Sequence, residues 1–125
     1  MKVMIGYPPL PSPKGIPLLS QNRQFQWFNK PTFVYPMVPA AAATLAARAG
    51  HEVFWADGIA ERWDPAEFER RFVDFQPDLL LIEGKTPIIR AYWNTVRRCK
   101  LYDFAQHVWM DFDGRVTSLP MVQGR

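Results

Sequence analysis

The sequence predicts an α/β fold built on a parallel sheet, and three features carry that prediction. Short apolar runs alternate with stretches of helical period in the order β-α-β-α-β-α-β. Strands joined through helices form parallel sheets with right-handed crossovers and helices on both faces. One run, Leu79-Leu-Leu-Ile-Glu83, is apolar without alternation, as a strand buried on both faces should be. Finally, 125 residues suffice for one hydrophobic core but not two. The pattern is that of a Rossmann-like (flavodoxin-like) domain, with a long proline-rich loop after the first strand and an apparent end after about four strands.

Lys2-Val-Met-Ile-Gly-Tyr7 reads as the first strand. Pro8-Pro9 ends it, because proline cannot donate to a ladder. Eight of the 12 prolines (Pro8, Pro9, Pro11, Pro13, Pro17, Pro31, Pro36 and Pro39) lie within the first 39 residues, and residues 8–37 hold no sustained period. They are expected to form one long irregular loop. Leu10, Ile16, Leu18, Leu19, Phe25, Trp27, Phe28, Phe33, Tyr35 and Met37 make it too apolar for a solvated tail. It must therefore cover something, either its own domain, a ligand or a partner.

An alanine-rich helix is expected over Val38–Ala49, with Pro39 in its first turn and Gly50 just past its end. Glu52–Asp57 forms the second strand, closed by Asp57-Gly58. Asp64 is an N-cap, with Pro65 at N1 and Glu67 at N3, so a second helix starts there and runs to Phe75. Phe68, Phe72 and Phe75 share one face of it. After the strand Leu79–Glu83, Thr86-Pro87 is expected to cap a third helix over Ile88–Leu101. His107–Met110 is the fourth strand, and the chain beyond Asp111 reads as loop.

Composition excludes several classes. Hydrophobic residues are 48% and charged residues 22%, a globular balance. No apolar run approaches the ~20 residues of a membrane span, and the early prolines break any apolar leader, so a cytoplasmic location is expected. A single cysteine, Cys99, leaves no internal disulfide and no cysteine-built zinc or iron–sulfur site in this chain alone. Cys99 itself is expected to be buried and structural. The net charge is only +3. Its densest clusters, Arg70-Arg71 and Arg97-Arg98-Cys99-Lys100, fall in helices and lack the interleaved aromatics of a nucleic-acid surface, so they read as solvated faces. His51 and His107 both begin strands, which places them at the amino edge and makes neither a metal ligand nor a general base.

In open parallel sheets ligands bind outside the carboxyl ends of the strands. The segments leaving those ends are 8–37, 57–63, 83–87 and 111–125. No glycine-rich phosphate loop follows the first strand, since the turn is Tyr7-Pro8-Pro9-Leu10. Nor is there a nucleophile elbow, a Walker sequence or a paired-histidine motif. A phospho-receiver site would want clustered acids, and only Glu83 stands at this edge. What remains is a stiff, apolar, proline-rich surface suited to a large flat ligand, facing Glu83-Gly-Lys-Thr-Pro87. There Lys85 and Thr86 offer donors near a helix start. The plainer roles are helix capping for Thr86 and, for Glu83, partnership with Lys85 or a backbone amide.

Four segments together resemble the N-terminal cobalamin (B12)-binding domain of B12-dependent radical SAM proteins. They are Lys2-Val-Met-Ile-Gly-Tyr-Pro-Pro-Leu10, Gly15-Ile-Pro-Leu-Leu19, Tyr35-Pro-Met-Val-Pro-Ala40 and Asp78-Leu-Leu-Leu-Ile-Glu-Gly-Lys-Thr-Pro87. The likeness spans residues 1–100 in matching order. It implies a Rossmann-like sheet holding a corrin ring on the carboxyl edge of its strands. It further implies that Tyr7, Pro8, Pro9 and Leu10 face the corrin, that Tyr35 and Met37 belong to the same site, and that Glu83, Lys85, Thr86 and Pro87 line its other side. Val116-Thr-Ser-Leu-Pro120 resembles the family's segment along the cofactor's nucleotide tail, which would give Val116, Thr117 and Leu119 a binding role.

Departures limit the resemblance. Asp113-Gly-Arg115 stands where the family has Gly-Asp-His, and the Asp-x-His-x-x-Gly motif is missing. Any cobalamin would therefore lack a protein histidine as lower ligand. The family's radical chemistry also uses S-adenosylmethionine and a 4Fe-4S cluster held by Cys-x3-Cys-x2-Cys, which one cysteine cannot supply. A fifth strand and final helix are also expected to be missing. The expected partners are thus cobalamin and a radical SAM core domain or subunit, with methyltransferase or cyclase-like chemistry done elsewhere. The contrasting expectation is a non-catalytic Rossmann-like protein-interaction module that has lost the cofactor.

Overall fold

The computed structural model describes residues 1–18, 26–30, 35–104, 107–112 and 115–118. Its strands are β1 (Lys2–Tyr7), β2 (Ile16–Leu18), β3 (Gln26–Phe28), β4 (Glu52–Asp57), β5 (Leu79–Gly84), β6 (His107–Phe112) and β7 (Arg115–Ser118). Its helices are α1 (Met37–Arg48), α2 (Pro65–Phe75) and α3 (Ile89–Cys99), the last preceded by a 3-10 turn over Thr86–Ile88. The main sheet has the order β4-β1-β5-β6-β7. β4, β1, β5 and β6 are parallel, and β7 runs antiparallel to β6. This is the α/β, Rossmann-like architecture that the alternation of runs predicts.

The strand order contains one reversal. From β1 the chain crosses through α1 to β4 on one side, then returns through α2 to β5 on the other side of β1. Adjacent connections that leave in opposite directions open a crevice between the carboxyl ends of β1 and β5. Such switch points are where α/β sheets take ligands.

Side chains of alternate residues point to opposite faces of each strand. On one face Met4, Leu80, Ile82 and Val108 join Phe68 and Phe72 of α2 and Tyr92, Val96 and Cys99 of α3 in one buried cluster. Each large side chain so buried contributes roughly 1.5–3 kcal/mol. On the other face Val3 and Ile5 are buried, and α1 packs on β1 and β4. Gly6 lies between Ala56 and Ile82 in the middle of the sheet. A Cβ there would meet the Ala56 carbonyl oxygen at 2.1 Å, so the close pairing of β1 with β4 requires glycine.

The N-cap expected for α2 is present: Asp64 Oδ1 accepts from the Glu67 N–H at 2.7 Å. That helix stops at Gln76, which adopts a left-handed conformation with φ 52°. Arg70 pairs with Glu67 and Asp74, Arg71 with Glu67, and Arg98 with Glu69 on the neighbouring helix. Arg70, Arg71 and Arg98 are thus ion-paired on helix surfaces.

Three expectations need correction. Residues 8–37 are not irregular throughout, because Ile16–Leu18 and Gln26–Phe28 pair as an antiparallel ribbon. Each strand is only three residues long, too short for alternation to register in the sequence. The chain after Asp111 is not all loop either: β6 continues to Phe112 and β7 pairs back along it. Thirdly, the N-cap residue of α3 makes no side-chain capping hydrogen bond. The 3-10 turn over Thr86–Ile88 precedes it, Ile88 occupies the N-cap position, and the helix ends at Cys99 instead of Leu101.

The amino edge is closed by backbone bonding. Asp78 Oδ2 accepts from the Lys2 N–H at 2.8 Å, and the Asp78 N–H and carbonyl pair with Lys2 and His107. His51 Nδ1 lies 3.1 Å from the terminal amino group of Met1. Both histidines therefore sit at the edge away from the crevice, as their place at strand starts predicts.

Candidate functional site

The switch-point crevice is built from a polar cluster set into apolar walls. Tyr7 ends β1 and Glu83 lies near the end of β5. Both strands are held in register, so their side chains meet. The Tyr7 hydroxyl donates a hydrogen bond to Glu83 Oε2. Tyr7 is 3% exposed and Glu83 8%. Burial first, then the hydrogen bond and charge of Glu83, push the Tyr7 phenol far above its ordinary range, so it remains a neutral donor. Lys85 follows on the strand-to-helix turn, with Nζ 3.8 Å from Glu83 Oε1.

The loop after β1 is pinned from the helical face. Tyr92 of α3 is fully buried, and its hydroxyl donates to the Pro8 carbonyl at 3.1 Å. Burial raises the Tyr92 phenol well above the usual value, with Asp57 and Glu83 adding to it. Pro8 and Pro9 are buried and Leu10 is half-buried, with Leu10 packed against the core. The Tyr7 carbonyl accepts from the Gly58 N–H at 2.8 Å, which ties the same turn to the end of β4. Asp57, beside Tyr7 in the register, accepts from the Ala60 N–H at 3.0 Å. Its carboxyl is raised by burial.

Two clefts flank this turn. One, of about 450 Å³, lies between the Pro9–Pro17 stretch and Gly58, Ile59, Arg62 and Trp63. The other, of about 420 Å³, lies between α2 and α3 with Pro9, Phe68 and Cys99 in its wall. Cys99 is buried, as expected, and burial pushes its thiol up to about 12. It is an unreactive packing residue.

The structure brings together Tyr7, Pro8, Pro9, Glu83 and Lys85, and it sets Leu10 in the cleft beside them. Tyr35 and Met37 stand at the start of α1 and are exposed, at 69% and 57%. An α1 running from the end of β1 to the start of β4 begins at the carboxyl edge, so both belong to the crevice side. Pro87 is exposed on the turn after β5. Thr86 begins the 3-10 turn, Val116 and Thr117 lie on β7, and Leu119 is outside the described residues. Sequence reading missed Asp57 and Tyr92. Tyr92 carried a signal, because Ile88, Tyr92, Val96 and Cys99 form a stripe of helical spacing.

Comparison with known proteins gives no match: no family model, curated protein or solved structure is significantly similar to this chain. Among the described residues no group of three or more His, Cys, Asp or Glu is gathered as metal ligands would be. No described helix is long and apolar enough to cross a membrane.

Proposed function

We propose that this chain is the cobalamin-binding module of a B12-dependent radical SAM enzyme, acting in the cytoplasm and holding the corrin over the carboxyl edge of its sheet. One observation carries the reading beyond the sequence resemblance. The β1/β5 crevice is bounded by the buried Pro8-Pro9 turn, and the exposed apolar start of α1, with Tyr35, Met37 and Val38, lies at the same edge. A preorganised wall loses little entropy on binding, and a macrocycle needs a broad apolar seat with a few polar contacts.

Any such group would be held without a histidine of the described crevice, since both histidines lie at the other edge of the sheet. Cobalamin, when bound, supplies cobalt-centred methyl transfer or assistance to a radical step. The residues of this chain bind and orient. Tyr92 and Gly58 hold the Pro8-Pro9 turn in place, Tyr7 and Glu83 fix the spacing of the two loops, and the apolar residues exclude water. S-adenosylmethionine and a 4Fe-4S cluster belong to a core domain or subunit outside this chain, because the lone thiol, that of Cys99, is buried. A second reading, a cofactor-free interaction module, is favoured by α1, where Val38 and Leu45 are 58% and 66% exposed.

Mixing the chain with hydroxocobalamin, desalting it and recording the visible spectrum separates the two. Retained corrin bands support the first reading, and a colourless protein rejects it. Replacing Pro8 and Pro9 by glycine should weaken retention more than it lowers Tm. The reverse result marks the turn as merely structural.

A further inference from the structure

The fold uses two sides of α3 and leaves a third open. Tyr92, Val96 and Cys99 enter the core. Thr95 and Arg98 face α2, where Arg98 pairs with Glu69. The remaining side carries Arg90, Trp93, Asn94 and Arg97, which line a shallow depression of about 470 Å³. Residues at i, i+3, i+4 and i+7 share one helix face. The two arginines therefore stand two turns apart, roughly 10 Å along the axis, with the indole between them. Trp93 is half-buried: part of its ring packs against the core, and the rest is open on this face.

Local physics does not favour this arrangement. α3 contains no acidic residue, and Arg90 and Arg97 make no ion pair among the described residues. Arg70 and Arg71 of α2, by contrast, both pair with Glu67. Position 94 lies four residues after Arg90 and three before Arg97, so one carboxylate there would offset both. It holds an amide, Asn94. Arg90 also occupies the first turn of α3, at the positive end of the helix dipole, where a cation is destabilising. Departures from local consistency concentrate at functional surfaces, and arginine and tryptophan are residue types that anchor protein interfaces.

The charge on this face selects its partner. Two unpaired guanidinium groups call for two carboxylates at the same spacing, with an apolar side chain on the indole between them. A helix with acids at i and i+7 and apolar residues at i+3 and i+4 meets each requirement. Single-stranded nucleic acid fits less well, because it needs a continued basic track with successive stacking aromatics, and this face has one aromatic. Nor do the residues of this sequence outside the described segments supply the two acids, since they include only Asp113.

We propose that the Arg90–Trp93–Arg97 face of α3 is a docking surface for an acidic amphipathic helix of a partner protein. Trp93 is the apolar anchor, and the two arginines set the partner's register. Tyr92, which holds the Pro8 turn, lies on the core side of the same helix, so the proposal is independent of the corrin site.

A labelled synthetic helix with Glu at i and i+7 and Leu at i+3 and i+4 tests it against the full chain by fluorescence anisotropy. Two control peptides carry Gln or Lys in place of Glu. The Glu peptide should bind roughly three- to thirtyfold more tightly than the Gln peptide, and salt should shrink that advantage. Arg90→Gln with Arg97→Gln should erase it. Arg90→Glu with Arg97→Glu should turn the preference to the Lys peptide, which a merely structural role for the arginines would not do. Arg90→Glu alone should leave Tm unchanged or raise it. Trp93→Ala should weaken the Glu and Gln peptides together; if that variant does not fold by circular dichroism, the charge variants decide.

No binding of the Glu peptide, equal affinity for the Glu and Gln peptides, or a preference that the charge-reversed chain keeps overturns the proposal. So does tighter binding of a short deoxythymidine oligonucleotide than of the Glu peptide, which would assign the face to nucleic acid. A concentration-dependent dimer in sedimentation that the Arg90→Gln, Arg97→Gln pair abolishes would assign it to a second copy of the chain and overturn it equally.

Discussion

Replacing Tyr92 by phenylalanine isolates one bond at the centre of the site. The ring of Tyr92 is fully buried among core residues of the α2/α3 face, and phenylalanine keeps that packing. What is lost is the hydroxyl that donates to the Pro8 carbonyl at 3.1 Å. Pro8 is itself buried, so water does not readily replace the donor. An unpaired buried carbonyl costs about 1–3 kcal/mol, compared with about 0.5–1.5 kcal/mol for a bond whose partners can rehydrate. We expect a loss of about 1.5 kcal/mol, which for a domain of this size lowers Tm by roughly 5–9 °C. Urea unfolding followed by far-ultraviolet circular dichroism measures it, and the slope m should not change because the same surface unfolds. A change under about 0.3 kcal/mol would mean that the hydroxyl does not anchor the turn. A loss above about 4 kcal/mol, the range of cavity-forming changes, would refute the assumption that ring packing survives.

The other predictions probe the sheet and its buried acids. Burial raises the phenols of Tyr7 and Tyr92 far above their ordinary value and pushes the Cys99 thiol up to about 12. The folded chain therefore keeps protons that the unfolded chain releases. Stability should be full below about pH 8.5 and fall as pH rises further, each group removing up to about 1.4 kcal/mol per pH unit. A denaturation midpoint that stays flat from about pH 8 to 10.5 would contradict this, and Tyr92→Phe should make the fall shallower. Gly6→Ala should abolish folding, because its Cβ would lie 2.1 Å from the Ala56 carbonyl oxygen; a cooperative melt near the parent Tm would show that β1 and β4 can part cheaply. Asp64→Ala removes the 2.7 Å cap of the Glu67 N–H and should cost about 1 kcal/mol in the same unfolding assay, with Asp64→Asn recovering most of it.

Regular elements with strong local signals are legible in the sequence. The uninterrupted Leu79–Glu83 run located the central strand, and Asp64-Pro65 located the start of α2 to the residue. Alternation of such elements is enough to specify a parallel α/β sheet. The β2–β3 ribbon was not legible, because Ile16-Pro-Leu18 and Gln26-Trp-Phe28 are too short to show a period and include a proline. At the site, sequence spacing located both loops at the carboxyl edge but not the cluster within them. Tyr7 and Glu83 are 76 residues apart, and only the shared register of β1 and β5 sets one against the other. The same limit hid the hydroxyl of Tyr92, whose helical stripe predicts burial but not its bond to Pro8.

The two edges of the sheet show where this chain departs from what folding alone demands. At the amino edge polar groups are satisfied locally: Asp78 accepts from Lys2 and engages the start of β6 through its backbone, and His51 meets the terminal amine. At the carboxyl edge a buried glutamate, a partly buried aspartate with a raised pKa and a mostly buried lysine crowd the junction of β1 and β5. A hydrophobic trio of similar volume would be at least as stable there, since burying paired charges in place of apolar groups is often neutral or costly. Two fully or nearly buried tyrosines then hold this arrangement in one geometry. Sequences depart from local consistency mainly at functional sites, and here the departure coincides with the topological switch point. Fold topology and side-chain chemistry arrive at the crevice by separate routes.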